Sequence, residues 1–341
     1  MGKKKRIIFD VINSVKGGSG KSTFSLLLAA YFASKKDTAA YIIDLDLRGT
    51  SWENNYKHCL KGGGPKNGCS CYINDLMYDF EKKARTGIFE KINLKGSNAD
   101  FSAPLFLCMG SPNIETNIDS VEVEVDLFEN AIYRLVKDIY CKCEYREWNE
   151  IHVIFDMPPS YERHAEQILK HLLLDTKSRL YMDDKARDEK DSFEHYAVNL
   201  YMISSVSMAH VELNKHYIEN FFRNSVGYSN ALAEFINAPE KPRFYLRFIG
   251  NDVTGIIEDP QLKPTIEERI NNSIMQSVQP ILKYKDGNEQ EIIPKFSILS
   301  HMKFSSQLAH FTETKEEKTT AIENSAKEFF DSLFWNTANE G

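Results

Sequence analysis

Nine residues near the amino end, Val15-Lys16-Gly17-Gly18-Ser19-Gly20-Lys21-Ser22-Thr23, leave this chain few folds to choose from. An apolar run, Arg6 to Asn13, leads into them, and a second, Phe24 to Ala33, follows. The order strand, glycine loop, helix is the local architecture of a phosphate-binding loop, because glycines let successive backbone N–H groups turn towards one anion at a helix start. Against the general pattern G-x-x-x-x-G-K-[ST], Gly20, Lys21 and Ser22 fit. Val15 stands at the first glycine position, with a second lysine, Lys16, beside it. The stretch predicts a nucleoside triphosphate site built from Gly17, Gly18, Ser19, Gly20, Lys21, Ser22 and Thr23.

Two lysines on one phosphate loop do not easily share a job. Lys21, at the helix start, is placed for the β- and γ-phosphates of its own nucleotide, whereas Lys16, at the strand end, would point away towards a neighbour. The form K-G-G-x-G-K-[ST]-[ST] resembles the deviant Walker A loop of the ParA/MinD family of ATPases, in which the early lysine contacts the nucleotide of the partner subunit. The resemblance implies that ATP joins two copies of this chain through Lys16.

Further carboxylates fall at predicted strand ends. Ala39 to Leu45 is a short apolar run fit for a buried parallel strand, and it ends in Asp44-Leu45-Asp46. Functional groups collect at such tips, so either carboxylate could hold an attacking water or a magnesium-bound water. ParA-like proteins have D-x-D-P-Q-G here, and this chain has Asp44-Leu45-Asp46-Leu47-Arg48-Gly49. The resemblance implies that Asp46 positions the hydrolytic water, with Asp44 in support. Ile151 to Ser160 reads as a strand ending in Asp156-Met157-Pro158-Pro159-Ser160, the Walker B arrangement, whose carboxylate reaches Mg²⁺ through a water while Ser22 binds the ion directly. Its D-x-P-P-S ending again resembles ParA/MinD proteins. Asn251 follows a strand from Phe244 to Gly250, at the position where the family's asparagine hydrogen-bonds the adenine edge.

The other observations bound the class. The 341 residues carry a net charge of −7, with 42% hydrophobic and 27% charged residues, the composition of an ordinary globular protein without a general affinity for nucleic acid. No apolar run approaches the ~20 residues that cross a bilayer and no signal peptide is visible, so a cytoplasmic location is expected. The six cysteines include two C-x-C pairs, Cys69/Cys71 and Cys141/Cys143, whose spacing and separation argue for free thiols over a Cys₄ zinc site. Asp175 to His195 is crowded with charge and reads as a solvated or partner-binding insert. An aromatic, apolar stretch, Ala321 to Trp335, closes the chain. It has few basic residues, which disfavours an anionic membrane and favours docking on the protein's own sheet.

These signals predict a single doubly wound α/β domain over residues 1–341, with a mostly parallel sheet, helices on both faces and motif-bearing strands converging on one nucleotide. The ParA resemblance implies an ATPase that dimerises on MgATP, hydrolyses it slowly, and partitions or positions DNA or another cargo. It would have a stimulating ParB-like partner and non-specific contact with DNA. Two other readings remain: a metabolic or metal-delivery member of the superfamily (dethiobiotin synthetase-like, or an iron–sulfur carrier), and a MinD-like regulator at a membrane.

Overall fold

The computed structural model describes residues 5–47, 52, 73, 76, 90–92, 105–108, 125–144, 148–159, 163–175, 178–180, 193–223, 243–251, 261–277, 295–299, 327, 329–331, 333 and 334. Its elements run β1 (Lys5–Asn13), α1 (Lys21–Ala33), β2 (Thr38–Asp44), β3 (Glu90–Ile92), β4 (Leu105–Cys108), α2 (Val125–Glu144), β5 (Glu150–Asp156), α3 (Arg163–Leu173), β6 (Phe193–Ser205), α4 (Met208–Arg223), β7 (Arg243–Asn251), α5 (Leu262–Ser277) and β8 (Lys295–Leu299). The hairpin-like Asp286-Gly287, the cysteines Cys59, Cys69 and Cys71, and Arg48-Gly49 lie outside the described residues.

Among the described residues, eight strands form one sheet in the order β3-β4-β2-β5-β1-β6-β7-β8. Of these only the short β3 runs antiparallel, against β4; every other neighbouring pair is parallel. β1 is central, with β5 on one side and β6 on the other. Such a sheet requires cover on both faces, and the alternation of side chains supplies it. Ile7, Phe9 and Val11 of β1, with Val153 and Phe155 of β5 and Leu200 and Met202 of β6, join buried residues of α2, α3, α4 and α5 in one apolar layer. Ile12, Ile154, Tyr201 and Ile249 face the other way, onto α1.

Nearly every residue of α1 from Phe24 to Ala33 is buried. This is why its sequence is apolar and small on almost every face: the sheet covers one side, and the closing segment of the chain covers another. The described residues of that segment, Lys327, Phe329, Phe330, Asp331, Leu333 and Phe334, are helical. Phe330 meets Phe24 edge-on at 5.5 Å and lies 5.2 Å from Tyr31; Phe334 stacks on Tyr31 at 5.7 Å. The Tyr31 hydroxyl donates to Asp331 Oδ1 at 2.9 Å. The aromatic terminus thus packs on the protein itself. Among the described residues no helix is long and apolar enough to cross a membrane.

A polar cluster sits inside the α1 face. Asp10, fully buried in mid-β1, accepts from His152 Nδ1 at 2.6 Å, from Asn199 Nδ2 at 2.7 Å and from the Tyr201 hydroxyl at 3.3 Å. His152 Nε2 donates to Glu150 Oε1 at 3.0 Å, and Arg6 pairs with Glu150 at 3.1 Å. The ring of Phe32 stacks on the imidazole. Burial alone would lower the His152 pKa, but the carboxylates of Asp10 and Glu150 outweigh it and hold the value above the ordinary one. The cluster is a buried ion pair whose lone pairs are met by further hydrogen bonds, the condition under which such pairs are tolerated.

One boundary differs from the expectation. The charged segment read as running to His195 ends earlier, because Phe193 to Tyr196 already belong to β6, where Phe193 pairs with Lys5 and Tyr196 with Ile7. Leu180, at its other end, is fully buried and its carbonyl accepts from the Tyr140 hydroxyl at 3.2 Å.

Candidate functional site

The parallel strands bring all the sequence-predicted groups to one end of the sheet. Register places Asp44 opposite Asp156, Asp156 opposite Ile12, Asn13 opposite Met202, and Asn251 opposite Ser205. The loop from Ser14 to Gly20 therefore rises between the tips of β5 and β6, where the connection from β1 to β2 runs to one side and that from β5 to β6 to the other. That switch point is where open α/β sheets bind ligands.

Two loop glycines adopt left-handed backbone, Gly18 at φ 71° and Gly20 at φ 92°. Gly20 is also the N-cap of α1, and it offers no side-chain acceptor. A helix start needs partners for its first N–H groups, and at this one the loop presents them outward with the positive end of the helix dipole. A Cβ on Gly20 would collide with Asn251 Nδ2. The same nitrogen donates to the Ser19 carbonyl at 3.0 Å, so Asn251 braces the loop from β7. Its partner oxygen, Asn251 Oδ1, is buried without a hydrogen bond, as are Ser19 Oγ and Asp156 Oδ1.

Asn214 is a second brace, one that the motifs did not point to. From α4 its Oδ1 accepts from the Val15 amide at 3.1 Å, while its Nδ2 donates to the Ile203 carbonyl of β6 at 2.8 Å. Ser14 Oγ accepts from the Lys16 amide at 3.3 Å. Lys16 itself is exposed, at the rim of the loop. His210, near the start of α4, is bonded to Ser205; burial and the nearby Lys16 ammonium both hold its pKa down.

Lys21 is only 7% exposed, although an isolated ammonium is costly to bury. Burial pulls its pKa below the ordinary value, and the carboxylates of Asp156 and Asp46 oppose that fall. Asp46 is half-buried, its amide bonded to Asp44 Oδ1 at 3.0 Å in a turn that holds the two carboxylates at the tip of β2. Leu45 N donates to the Asp156 carbonyl at 2.9 Å, which locks that tip to β5, and His164 of α3 approaches the Leu45 carbonyl at 3.2 Å.

Asp156 carries the most telling surroundings. Burial pushes its carboxyl up, the Ser22 hydroxyl, the Lys21 ammonium and the Trp52 N–H push it down, and Asp46 adds to the rise. Trp52 Nε1 donates to Oδ2 at 2.7 Å. Oδ1, buried and without a hydrogen bond, stands with the Ser22 hydroxyl as a set of hard oxygen donors, which suits Mg²⁺. Among the described residues there is no cluster of three or more His, Cys, Asp or Glu side chains that could hold a metal by themselves.

Among solved structures the chain superposes on pNOB8 ParA with a TM-score of 0.50, at 12% identity, covering 99% of this chain and 100% of that one. The chain shares the α/β P-loop fold of that protein. Further similarities are weaker: a variant of Cyanothece McdA in complex with ATP at TM-score 0.48, 11% identity and 98% and 97% coverage, and Aquifex aeolicus MinD at 0.42, 13% and 95% and 96%. No family model and no curated protein matches the sequence. The eight-stranded, mostly parallel sheet with helices on both faces matches the expected doubly wound architecture.

Proposed function

We propose that this chain, as a single P-loop domain spanning its length, is a ParA-like ATPase that binds MgATP, pairs with a second copy of itself, and uses hydrolysis to partition or position DNA or another cargo. The observation that carries the reading is the convergence on one sheet end of an uncapped helix start, a buried lysine between two carboxylates, and a buried carboxylate oxygen without a partner. In this reading the loop N–H groups of Gly17 to Thr23 cradle the phosphates and Lys21 neutralises them in cis. Ser22 and, through water, Asp156 would hold Mg²⁺, with Asp44 as a further oxygen nearby; the ion would supply charge neutralisation on the bridging oxygens. Asp46 orients the attacking water and Lys16, exposed at the rim, reaches the partner's nucleotide. Asn251 Oδ1 is the atom left for the adenine edge, since its nitrogen is engaged by Ser19. Catalysis is then positioning and charge neutralisation on a preorganised frame.

A ParB-like stimulating protein and non-specific DNA are the partners this cycle would use. The membrane reading is the weaker one, because Phe330, fully buried, and Leu333 are already spent on α1. The deciding experiment is sizing by light scattering with ADP and with a slowly hydrolysed ATP analogue, for the native chain and Lys16→Ala. A dimer with the analogue alone, lost in Lys16→Ala, is expected; a native chain that stays monomeric with bound analogue overturns the mechanism.

A further inference from the structure

Trp52 lies beyond every motif of the loop and strand tips, yet it is 1% exposed and its indole N–H reaches 2.7 Å to Asp156 Oδ2, across 104 residues of sequence. We infer that Trp52 is a positioning residue for the carboxylate that reaches the metal through water, and that it ties the chain beyond Asp46 to the ion's surroundings. This rests on the nucleotide reading above. An indole nitrogen can only donate, so it captures one carboxylate oxygen and leaves the other. Here the captured atom is Oδ2 and the one left is Oδ1, buried and without a hydrogen bond, on the carboxylate that senses Ser22 and Lys21. The ring is wedged in the apolar layer with Ile42, Ile154 and α1, so the donor cannot swing away without vacating a packed site. Partners that orient a metal's ligands in this manner typically contribute 10–100-fold to metal affinity.

A mere space-filling tryptophan would be replaced by phenylalanine at little cost to ion binding. The positioning role predicts otherwise. In Trp52→Phe, nucleotide binding measured with excess EDTA stays within about twofold of the native chain, while the Mg²⁺ concentration that half-saturates the tight nucleotide complex rises at least about tenfold. Equilibrium binding of a fluorescent ATP analogue across a Mg²⁺ series reads both. A half-saturation within twofold of native, in a variant with native thermal midpoint, overturns the inference and leaves the nucleotide reading intact. A native chain that binds no nucleotide overturns both. Where Trp52→Phe melts early, the native chain decides: with ¹⁵N-indole labelling, the Trp52 Nε1–H resonance, assigned by its displacement in Asp156→Asn, must shift when Mg²⁺ joins bound nucleotide. A resonance that does not respond to the ion refutes the link.

Discussion

Substituting Gly20 by alanine tests how the loop is braced, because Gly18 and Gly20 share a backbone conformation but not surroundings. Both have positive φ, so alanine at either incurs the left-handed penalty of about 1–2 kcal/mol. Both substitutions also gain the same small amount from a stiffer unfolded chain, which cancels in the comparison. Nothing lies within 4 Å of a Cβ at Gly18, whereas one at Gly20 would displace Asn251 Nδ2 from the Ser19 carbonyl. Leaving those buried groups unpaired costs a further ~1–3 kcal/mol. Gly20→Ala should therefore be less stable than Gly18→Ala by about that ~1–3 kcal/mol, read as a shift in urea midpoint at constant slope without nucleotide. Asn251→Ala should cost about 1–3 kcal/mol alone and little in the Gly20→Ala background, a coupling of the size found between contacting residues. Equal costs at Gly18 and Gly20, or strict additivity of Gly20→Ala with Asn251→Ala, would refute the brace.

The raised His152 pKa makes its contribution to stability complete below about pH 6.5, the unfolded value, and lost as pH rises through the folded one; the lowered Glu150 pKa, conversely, gives stability that is lost as pH falls below about 4.5. The thermal midpoint should accordingly fall on the alkaline side, and His152→Gln should flatten that limb. Phe330→Ala empties a fully buried site against Phe24 and Tyr31 and should destabilise by about 3–5 kcal/mol in chemical denaturation. Asn214→Ala leaves the Val15 amide and the Ile203 carbonyl without their side-chain partner, at about 1–3 kcal/mol, and should raise the KM for ATP; unchanged stability and KM would show that the loop holds its shape unaided.

The phosphate loop and the strands ending in Asp44, Asp156 and Asn251 were legible from sequence for a local reason. Each signal, whether glycines after an apolar run or a carboxylate or amide at the end of one, is contained within about ten residues, the length of a strand and its turn. Parallel topology then makes their tips adjacent. The α1 helix was legible too, its small and apolar residues on nearly every face marking a helix packed tightly behind the phosphate loop. What stayed hidden depends on pairings between distant positions. Asn214 meets Val15 across 199 residues and Asp10 meets His152 across 142, and neither an asparagine in a helix nor an aspartate in a strand announces such a partner. Trp52 belongs to no motif, since only the folded chain brings its N–H to a carboxylate. The first residues of β6 were masked by charge in the preceding segment, and β3 has only three residues, too few for a period to show.

The central position of β1 also bears on how the molecule comes into being. β1 precedes every other described strand in the chain, yet the strands on its two sides come only at residues 150–156 and 193–205, and the partners that meet Asp10 in its middle, His152, Asn199 and Tyr201, lie on those late strands. At ribosomal rates of about 5–20 residues per second, the strand waits roughly 10–40 s for its second neighbour. It carries two unpaired edges until β5 emerges and one until β6 does, with an aspartate bound for the interior, features that favour chaperone capture over early folding. The glycine-rich loop that follows β1 thus gains its full framework only once the chain has been made through β6.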